Sequence, residues 1–195
     1  MHKEDGIMDT TSDDELSHRI AFILEIDKLK EIERRTHLLT SGRRENSAEH
    51  SWHVALMATV LHPYANEPVD LLHTIKMLLV HDIVEIDAGD TFAFADQSNK
   101  AHDELAAAAR IFGLLPAADQ AELAALWEEF DARQTPESRF ANAMDRLMPA
   151  LRNYFGKGGT WREHGVSLEQ VNLRLSPIGD GSAEIWAWFQ PLLAN

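Results

Sequence analysis

Residues 71–86, Leu-Leu-His-Thr-Ile-Lys-Met-Leu-Leu-Val-His-Asp-Ile-Val-Glu-Ile, decide how the fold is read. The run is apolar on nearly every side at helical spacing, and such a helix sits inside a bundle, not on its surface. Pro68 stands where a helix can begin, and the pattern predicts one that runs to about Ile86. The same run carries His73, Lys76, His81, Asp82 and Glu85, so it does not read as a membrane span. An ionisable group on a buried helix needs a partner, because desolvating an unpaired charge is costly. For His81 and Asp82 two kinds of partner fit. One is a divalent cation held by imidazole and carboxylate; the other is a buried His-Asp hydrogen bond or a solvated helix end. Adjacent helix positions point ~100° apart, so both residues reach one ion only if the helix end faces it obliquely. Glu85, three residues after Asp82 and four after His81, shares their face.

Outward from this run, almost every apolar segment keeps helical spacing. Toward the N-terminus, Ser12 and Glu15 suggest a capping box for a helix bearing Leu16, Ile20, Ile23 and Leu24, with Asp27 interrupting the stripe before Leu29 and Ile32. Residues 34–46 are polar and read as a loop. Ser47 is a candidate cap for a helix carrying Trp52, Ala55, Leu56 and Val60, which Pro63 ends. Toward the C-terminus, residues 87–98 break the pattern with a Gly89-Asp90-Thr91 turn. A helix from about Asn99 ends at Gly113, another runs from Pro116 to about Arg133, and Thr135-Pro136 form the N-cap and first position of the next, to about Phe155. Ser167 and Gln170 suggest one more cap, and residues 183–193 a final amphipathic helix. The expectation is an all-α, single-domain bundle of about seven or eight helices over residues 15–195, behind a flexible tail at residues 1–14.

The 195 residues suit one domain with a sizeable core, and their 45% hydrophobic content is ordinary for a globular chain. A net charge of -14 argues against a binder of nucleic acid polymers, which needs a basic face. A small anionic substrate remains compatible, since a metal and a few arginines reverse the local field. The absence of cysteine excludes disulfides, thiolate metal sites and cysteine nucleophiles, and fits a cytoplasmic protein. No signal-peptide or membrane segment is read. The chain has no His-Glu-x-x-His zinc pattern, GxSxG elbow, P-loop or GxGxxG. Two further segments bear on the His81-Asp82 pair. Glu49-His50 opens the helix after the polar loop, and Asp145-Arg146 lies in the run Ala-Met-Asp-Arg-Leu-Met, whose apolar flanks imply a buried face.

Taken in order, His50, His81-Asp82 and Asp145, with the strings Arg44-Glu45-Asn46-Ser47-Ala48-Glu49-His50-Ser51, His81-Asp82-Ile83-Val84-Glu85 and Gly89-Asp90-Thr91, resemble the HD-domain metal-dependent phosphohydrolases. The branch is that of the bacterial 5'-deoxynucleotidases and the HD-domain-containing protein 2 relatives, and the resemblance spans roughly residues 29–155. It implies that His50, His81, Asp82 and Asp145 bind one divalent ion, that Glu85 handles the proton of the attacking water, that Arg35 binds the substrate phosphate and that Asp90 contacts the sugar. Arg44 is a second phosphate candidate, or else pairs with Glu45 or Glu49 at the surface. Thr36 departs from the pattern: deoxynucleotidases carry there a tryptophan that helps exclude ribose.

The expected function is release of phosphate from nucleoside 5'-monophosphates. The alternatives are another HD phosphohydrolase, acting on phosphodiesters or pyrophosphorylated nucleotides, and a catalytically silent nucleotide-sensing module. The cofactor expected is one divalent ion (Mn, Co, Fe, Ni, Zn or Mg), since two nitrogens and two oxygens suit the transition metals and tolerate magnesium. His53, three residues after His50, reads as a supporting residue, not a ligand. The partner set is a small phosphorylated substrate, no membrane, and a second copy of the chain, for which Trp186, Trp188 and Phe189 offer a surface; packing on their own bundle is the other reading.

Overall fold

A computed structural model of the protein describes residues 10–90 and 100–194, with side chains described from residue 14. It holds eleven α-helices among the described residues: α1 (Thr10–Ile26), α2 (Ser47–Leu61), α3 (Leu71–Val80), α4 (Glu85–Ala88), α5 (Lys100–Phe112), α6 (Ala117–Ala132), α7 (Pro136–Phe155), α8 (Gly159–Glu163), α9 (Leu168–Leu175), α10 (Ile178–Gly181) and α11 (Ala183–Phe189). Eight of these have seven or more residues; α4, α8 and α10 are single turns. The all-α expectation therefore holds. Helix α1 begins at Thr10, before the boundary drawn at residue 15, so Ser12 lies within it; its side chain is outside those described. Thr91, the last residue of the expected Gly89-Asp90-Thr91 turn, falls outside the described residues.

The polar segment 34–46 is not a plain loop. It is a small antiparallel hairpin, β1 (Glu33–His37) with β2 (Arg44–Asn46). Glu33 pairs with Asn46 and His37 with Arg44, so four steps along β1 match two along β2, and the surplus bulges out of β1. The bulge falls at Arg34, Arg35 and Thr36, and all three line one cavity where strict alternation would have split them between two faces.

Caps set the helix entries. Thr135 and Ser167 act as the sequence suggests, each in a reciprocal capping box, with Ser138 and Gln170. For α2 the cap is Asn46, boxed with Glu49, and not Ser47. Ser47 becomes the first helical residue, its hydroxyl free to point inward.

The central helix is shorter than its apolar pattern suggests. It starts after the cap Asp70, and its regular part stops at Val80. His81 N–H still bonds the Met77 carbonyl, but Ile83 then bonds Val80, Glu85 bonds Asp82 and Ile86 bonds Ile83. This i→i+3 tightening winds the chain at about three residues per turn and stacks Asp82 directly over Glu85. Gly89 ends α4 at φ +72°, ψ 159°, a region open to glycine alone.

The α3 helix is not buried all round: Thr74, Met77, Leu78 and Val80 face inward, while Leu72, Lys76 and Leu79 are exposed, and the run from Met77 to Val84 passes from one core to a second. Met77 and Leu78 pack with Val54, Phe140, Met144, Leu147, Ile178 and Phe189. Val80, Ile83 and Val84 pack instead with Phe22, Leu29, Ala107, Ile111, Phe112 and Trp127. The switch from one core to the other occurs at the tightened turn 81–84, where His81 and Asp82 lie. On the far side of α7, α10 approaches so closely that a Cβ at Gly181 would stand 2.4 Å from the Arg139 carbonyl oxygen.

Candidate metal and phosphate site

Three elements bring the four candidate ligands together: α2 carries His50, the tightened turn carries His81 and Asp82, and α7 carries Asp145. His50, His81 and Asp82 are buried. One ligand atom from each of these three lies within 4.8 Å of the others. Asp145 completes the cluster: its Oδ1 is 2.9 Å from His50 Nε2 and 3.8 Å from His81 Nε2. His81 Nε2 stands 3.1 Å from Asp82 Oδ1, and the two imidazole rings are 5.4 Å apart between centroids.

The histidines are oriented from behind. His81 Nδ1 lies 2.7 Å from the Leu78 carbonyl, which can only accept, so Nδ1 donates there and Nε2 is the nitrogen turned toward the cluster. His81 Nε2 is buried and without a hydrogen-bond partner. On His50, Nδ1 faces the fully buried carboxylate of Glu45 at 3.6 Å, directing Nε2 toward the cluster. Glu45 in turn meets Arg152 Nη1 at 2.7 Å, and Arg152 Nη2 lies 3.1 Å from His53 Nδ1. Glu45, Arg152 and His53 thus form a chain of polar contacts behind His50. Two imidazole nitrogens and two carboxylates, with the buried His81 Nε2 making no hydrogen bond, fit a divalent transition metal.

Electrostatics bear the strain of the crowding. Burial alone would lower the His81 pKa, but the Asp82 and Asp145 carboxylates override it and lift it to about 10. Burial works against the ionised forms of Asp82 and Asp145 too; the histidines beside them, with Arg34 beside Asp82, hold both well below the usual carboxylate range. Glu85 goes the other way. Burial and the Asp82 charge push it up to about 8, against the pull of Arg34 and a hydrogen bond donated by the Ser47 hydroxyl at 2.5 Å. Two neighbouring carboxyl groups with opposite shifts are the pattern of divided acid-base roles.

A cavity of about 690 Å³ opens onto the cluster. Its walls include Arg34, Arg35, Thr36, Asp90, Trp127 and Phe130. The half-buried arginine that reaches the carboxylates is Arg34: its Nη1 is 2.5 Å from Asp82, 3.6 Å from Glu85 and 3.8 Å from Asp90. Arg35 also lines the cavity, with an exposed side chain, and its backbone N–H donates to Asp90. Burial raises the Asp90 pKa, with Arg34 opposing. The Thr36 hydroxyl lies 3.4 Å from Glu45. Arg44 requires a correction: it is exposed on β2 and does not line the cavity. Nor does it pair with Glu49; Arg43 does, at 2.7 Å.

Sequence reasoning missed Arg34 and Glu45. The Arg34-Arg35 doublet was the available signal for the first, but only the bulge decides which side chain turns inward. For Glu45 there was none, since a charged residue in a polar run reads as solvated.

The geometry agrees with what comparison with known proteins finds. The HD domain model matches residues 26–186. The 5'-deoxynucleotidase HDDC2 of Danio rerio is 27% identical over 163 residues, 79% of this chain and 80% of its own. A crystal structure described as a predicted metal-dependent phosphohydrolase from Magnetospirillum magnetotacticum MS-1 is 50% identical, with a TM-score of 0.90 over 94% of this chain and 93% of that one. A conserved hypothetical protein from Pyrococcus furiosus, at 23% identity and a TM-score of 0.60 over 88% of this chain and 99% of that one, shares the fold. The chain belongs to the HD-domain family, and its class is that of the metal-dependent phosphohydrolases.

Proposed function

We propose that the protein releases phosphate from nucleoside 5'-monophosphates, with one divalent ion held by His50, His81, Asp82 and Asp145. The observation that carries this reading is the buried, unpartnered Nε2 of His81, aimed with His50 Nε2 at two carboxylates on the floor of a cavity. When bound there, a divalent ion lowers the pKa of a coordinated water and polarises a phosphoryl oxygen.

The chain's own groups do the rest. Glu85, raised toward neutrality and held by Ser47, takes the proton of the attacking water and returns it to the leaving sugar oxygen. Arg34 neutralises the carboxylates around the reacting phosphate, and Arg35 is placed to offer it bidentate donors from the cavity wall. Asp90, tied to the Arg35 backbone, accepts a hydrogen bond from a sugar hydroxyl. Trp127 and Phe130 give the base an apolar wall, which reads shape more than identity. The HDDC2 resemblance supports the nucleotide as substrate.

The test is phosphate release from a panel of ribo- and deoxyribonucleoside 5'-monophosphates, each with Mn, Co, Fe, Ni, Zn and Mg. Turnover of several bases with at least one ion, abolished by chelation, is expected. No release from any nucleotide with any ion overturns the nucleotidase reading.

A further inference from the structure

The cavity has a second set of cations that the proposed reaction does not use. Arg133 at the end of α6, Arg146 on α7 and Arg174 in the last turn of α9 all line it. Arg146 is 5% exposed. Its Nη1 donates to the Arg174 main-chain carbonyl at 2.8 Å, while its buried Nε has no partner. A guanidinium offers five N–H donors, and a buried donor left unmet is destabilising. Among the described residues, none of the three arginines forms an ion pair with a carboxylate, in a chain with 32 acidic residues. Arg133 also occupies a left-handed helix end, φ 54°, where glycine would sit without steric cost. The three like charges repel one another; carboxylates of the same lining, Asp145 among them, offset part of this, but none meets the buried Nε of Arg146, which an anionic ligand would satisfy.

We propose that Arg133, Arg146 and Arg174 form a second anion subsite, so that the preferred substrate is a phosphomonoester carrying a second phosphoryl group away from the reacting one. The inference rests on the phosphohydrolase reading of the same cavity and deepens it. Arg34 is already ion-paired with Asp82, Glu85 and Asp90, whereas the other three arginines are not ion-paired among the described residues. Asp145, a candidate ligand at the first subsite, lines the same cavity as the three arginines, so one ligand in that cavity can face both sets. A cavity of about 690 Å³ has room for a nucleoside or sugar bisphosphate.

The experiment compares matched pairs on the metal-loaded protein: AMP against adenosine 3',5'-bisphosphate, and fructose 6-phosphate against fructose 1,6-bisphosphate. The bisphosphate of at least one pair should show a kcat/KM about tenfold higher, a preference that Arg174→Gln, and independently Arg133→Gln at an exposed position, should abolish. Calorimetry on metal-free protein reads the same difference without turnover: the bisphosphate binds more tightly than its monophosphate, and Arg174→Gln equalises them. Equal affinity and equal kcat/KM within both pairs overturn the inference. So does an equal loss on mono- and bisphosphates in the variants, which would assign these arginines to the reacting phosphate. Preference for the sugar bisphosphate with no nucleotide turnover would sink the nucleotidase reading and leave the subsite standing.

Discussion

Glu85 combines three properties that a proton carrier needs: burial, a pKa raised to about 8, and a hydroxyl donor that fixes its orientation. Glu85→Gln keeps shape and hydrogen-bonding capacity but removes the titrating group, so turnover should fall ~10²–10⁴-fold while metal content and substrate affinity persist. Loss of metal in that variant, read by elemental analysis, would make Glu85 a support of the ligands instead. Thr36 carries the second prediction at this scale. Its small side chain lines the cavity where a tryptophan would fill space, so discrimination between dAMP and AMP should be weak, and Thr36→Trp should raise the deoxy preference. A strong preference in the parent, unchanged in the variant, would assign that selectivity to another residue. The four candidate ligands were legible in the sequence because their order and flanks are distinctive. Arg34 was not: adjacent arginines are indistinguishable until the strand geometry says which turns inward.

At the scale of elements, the hairpin and the shortened central helix were the features that periodicity hid. Strands of five and three polar residues have too little apolar alternation to register, and their function is positional: the bulge in β1 delivers Arg34, Arg35 and Thr36 to one cavity. A change from 3.6 to about three residues per turn leaves no mark in an apolar run of this length, yet it stacks Asp82 on Glu85. The hairpin is pinned to α7 by the buried Glu45–Arg152 pair. Removing one partner strands the other charge, so Glu45→Ala should destabilise the fold by about 3–5 kcal/mol in urea titration. A loss below about 1 kcal/mol, the worth of an exposed pair, would show that water reaches Arg152.

At the scale of the molecule, the two cores meet along α3, and the candidate site lies at their seam. The aromatic helix α11 is open to two readings from its residues alone, and its side chains divide between them: Phe189 is fully buried in the larger core and Trp186 packs against it, while Trp188 stays exposed. Exposed apolar residues line α1, at Leu16, Ile20, Ile23 and Leu24, and a further unpartnered apolar face is on α2, where Trp52, Leu56 and Val60 recur at four-residue spacing and are 62%, 47% and 66% exposed. A second copy of the chain, joined about a twofold axis, is the occupant proposed for this face. Light scattering at micromolar concentration should therefore report a dimer in the parent and a monomer in Trp52→Asp. A monomeric parent would overturn this. No helix among the described residues is long and apolar enough to cross a membrane.

His50, His81, Asp82 and Asp145 should act together as one metal centre. The direct measurement is elemental analysis of protein stripped with chelator, reloaded with manganese or cobalt and freed of excess ion, for the parent and Asp145→Ala. The parent should retain about one ion per chain, as a set of two histidines and two carboxylates implies, and the variant much less. Equal metal content in the two proteins, or none in the parent, would contradict the assignment.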